Sequence, residues 1–201
     1  MRIEPEIRRD AILDIASEIF LERGYAGTSM TVIAHAVGGS KGTLYKYFSS
    51  KKDVFAAIVL KLISDQFKPA VARVAEDASI NCRLLQLARC HLTLALSPRT
   101  AAIRRLILSE ASRHPELGVL FFEIGLNWGQ SEIIEVLRLS MKKQELCGAD
   151  ATTAALHFRA LCEAGIAERY YWTSGEVLSE DDIHRAASIG VRTFLAAYGK
   201  E

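Results

Sequence analysis

The sequence lacks several features that define whole classes of protein. Its four cysteines, Cys82, Cys90, Cys147 and Cys162, form no Cys-x-x-Cys pair, which argues against a zinc ribbon or a thioredoxin motif, and they are too few for a disulfide scaffold. No run of uncharged apolar residues approaches the roughly 18 that a membrane-spanning helix needs. The charged N-terminus leads into no signal-peptide core. We therefore expect a cytoplasmic protein without a membrane segment.

Glycine and proline are also too scarce for a low-complexity or collagen-like chain, with 13 and four residues among 201. In contrast, 50% of the residues are apolar, which supports a large buried core and excludes global disorder. A chain of this length suits one domain, or a small domain joined to a larger one.

Apolar residues recur at helical spacing along most of the chain, and no strong strand-like alternation interrupts them. The pattern predicts about nine helices. Three short helices precede residue 50, and a linking helix follows over Lys51–Val74. The longer helices behind it are predicted at Asn81–Leu96, Pro98–Arg113, Glu116–Lys143, Ala151–Thr173 and Glu180–Tyr198. The fold class is therefore all-α, with a small N-terminal domain at residues 1–52 and a larger helical bundle at residues 53–201.

Charge is distributed unevenly, although the net charge is only +1. The segment from Arg23 to Lys52 holds five basic residues and no acidic one, whereas the rest of the chain is nearly balanced. A compact basic segment is what contact with nucleic-acid phosphates requires. On charge alone, a solvated protein face is an equal alternative.

The residues inside this segment favour the nucleic-acid interpretation. Two short helices flank Val37-Gly38-Gly39-Ser40, which is typical of a helix-turn-helix. In the second helix, predicted at Lys41–Phe48, the spacing turns Leu44 and Phe48 inward and Gly42 and Lys46 outward. A recognition helix that enters a DNA major groove needs this division.

Each outward residue type suits one kind of DNA contact. Gly42 lets the backbone approach the duplex, and the hydroxyl and methyl of Thr43 suit base edges. Phenols, lysines and hydroxyls at helix starts suit phosphate oxygens. The predicted contact set is Thr28, Ser29, Thr31, Ser40, Lys41, Gly42, Thr43, Tyr45, Lys46, Tyr47 and Lys51.

Three stretches together resemble the DNA-binding domain of TetR-family transcriptional regulators. They are Ile19–Tyr25, Thr28–Ala34 and Ser40–Lys51, and the resemblance covers roughly residues 8–55. Where that family commonly has Ala-Gly-Val-Ser in its turn, this chain has Val37-Gly38-Gly39-Ser40. The resemblance implies an all-helical homodimer that binds a palindromic double-stranded DNA operator, usually as a repressor, and whose larger domain binds a small effector.

The C-terminal body carries a weaker resemblance. Leu108–Leu117 followed by Phe121-Phe122-Glu123 is similar to the effector domain of a TetR subgroup that includes efflux and stress-response regulators. An apolar or amphipathic effector suits a cavity between helices of a bundle. The predicted lining is Leu62, Phe67, His91, Ile107, Phe121, Phe122, Trp128, His157, Leu161 and Tyr170.

The last two predicted helices carry apolar residues at helical spacing, which favours a four-helix dimer interface. The predicted interface residues are Phe158, Cys162, Ile166, Ile183, Ala187, Val191 and Phe194. Packing within one chain is the alternative for each of them.

Two other kinds of function stay open at this point. One is an enzyme on a helical bundle with Glu110, His114 or His157 as acid or base, although no nucleophile–base spacing supports it. The other is a helix-turn-helix adaptor that contacts only proteins. No metal-ligand spacing is convincing, and no cofactor is expected. A redox-sensing thiol would need a lowered thiolate pKa.

Overall fold

A computed structural model of the chain describes residues 5–71, 78–127, 130–173 and 178–200. Across these residues the regular structure is helical, apart from an isolated β-bridge between Leu146 and Gly199. The helices are α1 (Pro5–Arg23), α2 (Met30–Ala36), α3 (Lys41–Tyr45), α4 (Lys51–Val71), α5 (Ile80–Ala95), α6 (Pro98–Glu110), α7 (Pro115–Asn127), α8 (Ser131–Lys142), α9 (Ala151–Glu163), α10 (Ile166–Trp172) and α11 (Glu180–Tyr198). The all-α prediction is confirmed.

Most helix starts lie within one residue of the predicted ones, and at several of them short polar side chains accept hydrogen bonds from free backbone N–H groups. Ser29 caps α2 through the N–H of Val32, and Asp150 caps α9 through the N–H of Thr153. Ser179 and Asp182 form a reciprocal capping box at the start of α11.

Two predicted long helices are each divided in the structure, so that the described residues form eleven helices where about nine were expected. The predicted helix over 116–143 ends as α7 at Asn127 and resumes as α8 at Ser131. The predicted helix over 151–173 is interrupted between α9 and α10, where Gly165 has a φ of 78°. Helical periodicity continues across both breaks, so spacing alone does not show them.

The helices pack as two units. The described residues within 1–62 and 102–125 form the first unit, and those within 63–101 and 126–201 form the second. The first unit therefore contains the start of α4, most of α6 and most of α7 beside the three N-terminal helices. The predicted boundary after residue 52 divides a DNA-binding domain from an effector-binding domain. The two packing units do not test this functional division, which stays a prediction.

An aromatic cluster lies at the centre of the first unit. The Tyr25 ring stacks on Phe20, with ring centroids 5.7 Å apart, and meets Phe55 edge-on at 5.6 Å. Burying such rings against one another contributes both apolar area and ring–ring attraction. The cluster joins the end of α1 and the residues after it to the start of α4.

The core of the second unit lies between α5, α8, α9 and α11. Phe158 on α9 and Phe194 on α11 meet edge-on at 5.2 Å. The buried guanidinium of Arg83 donates hydrogen bonds to Ser140 and Glu145, so that its charge is paired. None of the helices searched within the described ranges is long and apolar enough to cross a membrane.

Candidate nucleic-acid interface

The α2–turn–α3 segment forms a helix-turn-helix in which backbone bonds fix the turn. Gly38 adopts a φ of 68°, a left-handed conformation that glycine tolerates without steric cost, and the N–H of Gly39 donates to the Ala34 carbonyl at 3.1 Å. The Ser40 hydroxyl then accepts the N–H of Thr43 at 3.1 Å, which caps α3. The glycine pair in the turn therefore gives a defined geometry.

Helix α3 ends at Tyr45, before the predicted Phe48, but the residues from Lys41 to Phe48 divide their side chains as the sequence predicted. Leu44 is 3% exposed and Phe48 is also buried, whereas Tyr45 is 46% exposed. Gly42 and Lys46 are exposed as well. The apolar pair anchors α3 to the first unit, and the side chains on the opposite side are exposed.

Most of the predicted contact residues present accessible groups. Ser29, Thr31, Ser40, Lys41, Gly42, Tyr45 and Lys46 are exposed, and Thr43, Tyr47 and Lys51 are half-buried. Thr28 is different, since it is 2% exposed and its hydroxyl donates to the Gly24 carbonyl at 2.8 Å. That hydroxyl stabilises the turn after α1, so we remove Thr28 from the proposed DNA contacts.

Lys51 has a structural partner in addition to its predicted role at a phosphate. Its ammonium donates to the Tyr25 carbonyl at 2.7 Å and lies 4.1 Å from the centroid of the Tyr25 ring. Burial lowers the pKa of Lys51 below its ordinary value, and the carboxylates of Glu110 and Glu116 partly oppose this change.

Arg9 was missed by the sequence analysis. Its guanidinium lies 5.2 Å from the centroid of the Phe48 ring, which places an exposed positive charge beside the residues that follow α3. Since α1 begins far from the turn in sequence, the spacing of residues gives no signal for this contact.

The predicted effector-binding residues are divided between the two units and differ in how exposed their side chains are. Leu62 and Ile107 are buried in the first unit, where Phe121 is half-buried. Phe122 is 65% exposed, so its side chain does not line an enclosed cavity in this chain. The side chain of Phe67 and the whole of Trp128 lie outside the described residues.

In the second unit, Tyr170 is buried and Leu161 is half-buried. His91 is buried against Glu163, with Nε2 and Oε1 2.7 Å apart, whereas His157 is exposed and bonds the Tyr198 hydroxyl. His157 is therefore a surface residue rather than a cavity residue. A groove of about 680 Å³ between α8 and α9 is lined by other residues, among them Ile134 and Leu156.

The residues predicted for the dimer interface are occupied within the chain. Six of the seven, Phe158, Cys162, Ile166, Ala187, Val191 and Phe194, are buried in the core of the second unit, and Ile183 packs partly against that core. The assignment of these six to the interface is corrected, because a side chain that is buried inside one subunit offers no surface to a second, whereas the assignment of the half-buried Ile183 stays a prediction. The helical spacing identified the inward faces of α9, α10 and α11.

The residues considered for acid or base chemistry each have a local partner. Glu110 accepts backbone N–H groups, His114 Nδ1 lies 3.1 Å from Glu116 Oε1, and His157 bonds Tyr198. Burial raises the pKa of the Cys162 thiol to about 12, which disfavours the thiolate that a redox sensor needs. Within the described residues, no three His, Cys, Asp or Glu side chains are grouped to hold a metal ion.

A helix-turn-helix with a buried anchoring face and a basic outer face is typical of sequence-specific DNA-binding proteins. Residues 12–58 match the family model of bacterial regulatory proteins of the tetR family, and residues 82–200 match the model described as AefR-like transcriptional repressor, C-terminal domain. The second match alone covers more than half of the chain. The chain belongs to the TetR family, and it is a DNA-binding transcriptional regulator.

Solved structures share the whole fold. A TetR-family regulator from Mesorhizobium loti is 27% identical, with 99% of this chain and 100% of that chain covered and a TM-score of 0.83. The flavonoid-responsive regulator FrrA is 28% identical, with 98% and 99% covered and a TM-score of 0.82.

Curated relatives match over shorter stretches. The activator FasR of Mycolicibacterium smegmatis is 38% identical over 32% of this chain and 29% of its own length. The regulator UidR of Escherichia coli K12 is 41% identical over 38% of this chain and 37% of its own. The matched segment thus spans about a third of these relatives' length.

Proposed function

We propose that the chain binds a palindromic operator as a homodimer and represses transcription until a small effector binds its C-terminal body. The observation that carries the proposal is the side-chain division on α3. Tyr45, Lys46 and the open backbone at Gly42 face outward, and Leu44 and Phe48 hold the helix from behind. We expect such a regulator to act in the cytoplasm by binding rather than by catalysis.

A dimer is proposed because two recognition helices must meet successive major grooves, about 34–36 Å apart. Helices α9 and α11 pack antiparallel, since Cys162 lies against Gly190 and His157 bonds Tyr198. Their buried faces are filled within the chain, so we assign the interface to the outward faces. The exposed apolar residues there are Leu156 on α9 and Ile189 on α11.

The proposed effector is apolar or amphipathic and carries few charges. FrrA is described as flavonoid-responsive and shares the whole fold at 28% identity, which makes a flavonoid a suitable first probe. Leu62, Ile107 and Phe121 of the first unit, and His91, Leu161 and Tyr170 of the second, remain proposed effector contacts. An effector shifts DNA affinity only if it binds the DNA-competent and DNA-incompetent states unequally, and a tilt of α4 is the proposed difference.

DNA binding is tested by selecting duplexes from a random library with the full chain and then titrating the selected duplex at several salt concentrations. Lys46→Ala is expected to weaken binding to all sequences and to reduce the salt slope by about one, because it removes one phosphate contact. Thr43→Ala is expected to change base preference at one position of each half-site. Lys143→Ala, which removes an exposed charge from the end of α8, is the matched control.

Failure to select any sequence, or equal effects of Lys46→Ala and Lys143→Ala, would contradict the proposed interface.

For the effector, a flavonoid is titrated into the protein–operator complex. A flavonoid that saturates the protein and leaves operator affinity unchanged would rule out induction by this ligand class.

A further inference from the structure

A carboxylate from α6 holds the turn between α1 and α2. Oε1 of Glu110, the last residue of α6, accepts the N–H of Tyr25 at 3.0 Å and the N–H of Ala26 at 3.3 Å. The partners are about 85 residues apart in sequence, and all three lie in the first unit. Hydrogen bonds to an ionised acceptor are about twice as strong as neutral ones, so this is a firm attachment.

The backbone N–H, the carbonyl and the ring of Tyr25 each contact a different part of the first unit. The amide donates to Glu110, the carbonyl accepts from the Lys51 ammonium at 2.7 Å, and the ring meets the His114 ring edge-on at 5.2 Å. The three partners come from the end of α6, the start of α4 and the segment between α6 and α7. Tyr25 is therefore the point at which these elements meet the turn that leads into α2.

The attachment also leaves no room for a side chain at Gly24 unless the Glu110 carboxylate moves. A Cβ atom added there would lie 2.9 Å from Glu110 Oε1, which is nearer than real Cβ contacts allow. Glu110 therefore bonds two successive amides directly after this glycine, at the start of the backbone that leads into α2.

We propose that Glu110 is a positioning residue for DNA recognition: its carboxylate fixes the angle at which the α2–α3 pair leaves α1. Glu110 itself contacts no DNA in this proposal. The inference rests on the proposed dimer, because only a dimer must hold two recognition helices at a set separation.

The test measures how strictly the protein requires one separation of half-sites. The selected operator is compared with two versions that have one base pair added or removed at the centre, using wild type, Glu110→Ala, Glu110→Gln and Glu110→Asp. Glu123→Ala, an exposed carboxylate on α7, is the control for the change in charge. Fluorescence anisotropy gives each affinity, and thermal unfolding confirms that each variant is folded.

Wild type is expected to bind the altered operators at least tenfold more weakly than the selected one. Glu110→Ala is expected to bind the selected operator about tenfold more weakly and to discriminate little between spacings, since the turn loses both of its bonds to the carboxylate. Glu110→Gln retains an acceptor oxygen and is expected to restore the wild-type preference. Glu110→Asp, with a shorter side chain that cannot reach both amides, is expected to lose it.

A folded Ala or Asp variant with wild-type spacing preference would overturn the inference, as would a Gln variant that behaves like Ala. If Glu110→Ala does not fold, the Asp and Gln variants decide the outcome. A wild-type chain that selects no two-part operator would instead contradict the proposed function, so the two failures can be told apart.

Discussion

Gly190 on α11 faces the backbone of α9 without room for a side chain. A Cβ atom there would lie 2.7 Å from the Cα of Cys162 and 2.9 Å from its backbone nitrogen. The two helices carry the Phe158–Phe194 contact at the centre of the second unit. The α9 and α11 backbones can therefore approach this closely only because residue 190 has no Cβ atom.

Gly190→Ala is expected to destabilise the chain by about 1–3 kcal/mol, because the helices must separate and the surrounding core must repack. Urea unfolding followed by circular dichroism measures the change. Leu139→Ala, at an exposed position on α8 outside the proposed interface, is the control and is expected to have a much smaller effect. A free energy of unfolding in Gly190→Ala equal to that of wild type would show that α9 and α11 do not approach this closely.

Single residues also show where the sequence was ambiguous. Thr28 and Ser29 are adjacent hydroxyl residues at the start of α2, and the sequence assigned both to DNA. The structure buries Thr28 against the Gly24 carbonyl, whereas Ser29 stays exposed and caps α2. Composition does not separate the two, because the difference lies in which hydroxyl faces the core.

The capping carboxylate of Asp182 makes the stability of α11 depend on pH. Asp182 in the first turn of α11 accepts hydrogen bonds from the hydroxyl and the N–H of Ser179, and these bonds lower the carboxyl pKa below its ordinary value of 3.8. A lowered pKa in the folded state means that the ionised carboxylate stabilises the fold above the ordinary pKa. That contribution is lost as the pH falls through the lowered pKa.

Asp182→Ala is therefore expected to destabilise the chain at neutral pH by an amount that stays constant down to about pH 5 and shrinks below about pH 4. The difference in free energy of unfolding between wild type and variant is measured from pH 3 to pH 7. Asp181→Ala removes a neighbouring exposed acid that has no part in the capping box, and a smaller, flatter difference is expected. A pH-independent difference for Asp182→Ala would contradict the role of the carboxylate.

In the proposed dimer, the interface between the two chains sets how the two recognition helices are presented to DNA. If the outward face of α11 forms the proposed dimer interface, Ile189, which is 49% exposed in the single chain, becomes buried there. Ile189→Glu is expected to convert the dimer to a monomer, since an unpaired charge is costly to bury.

Sedimentation equilibrium measures the mass, and operator titration measures the accompanying loss of affinity for the two-part site. Leu139→Glu places the same charge at a similarly exposed leucine on α8 and is expected to remain dimeric. A dimeric Ile189→Glu variant would move the interface to another face.

The sequence alone determined the helical class, most helix starts and the outward set around α3, because these depend on contacts within a few residues. Apolar periodicity and capping residues are local signals. On α3, for example, helical spacing alone places Leu44 on the inward side and its neighbour Tyr45 on the outward side. Tertiary structure decided that the apolar faces of α9 and α11 are covered within the chain and not by a second copy, since periodicity shows that a face is apolar but not what covers it. It also decided that Glu110 bonds Tyr25 and Ala26, a contact between residues about 85 positions apart that no local pattern encodes.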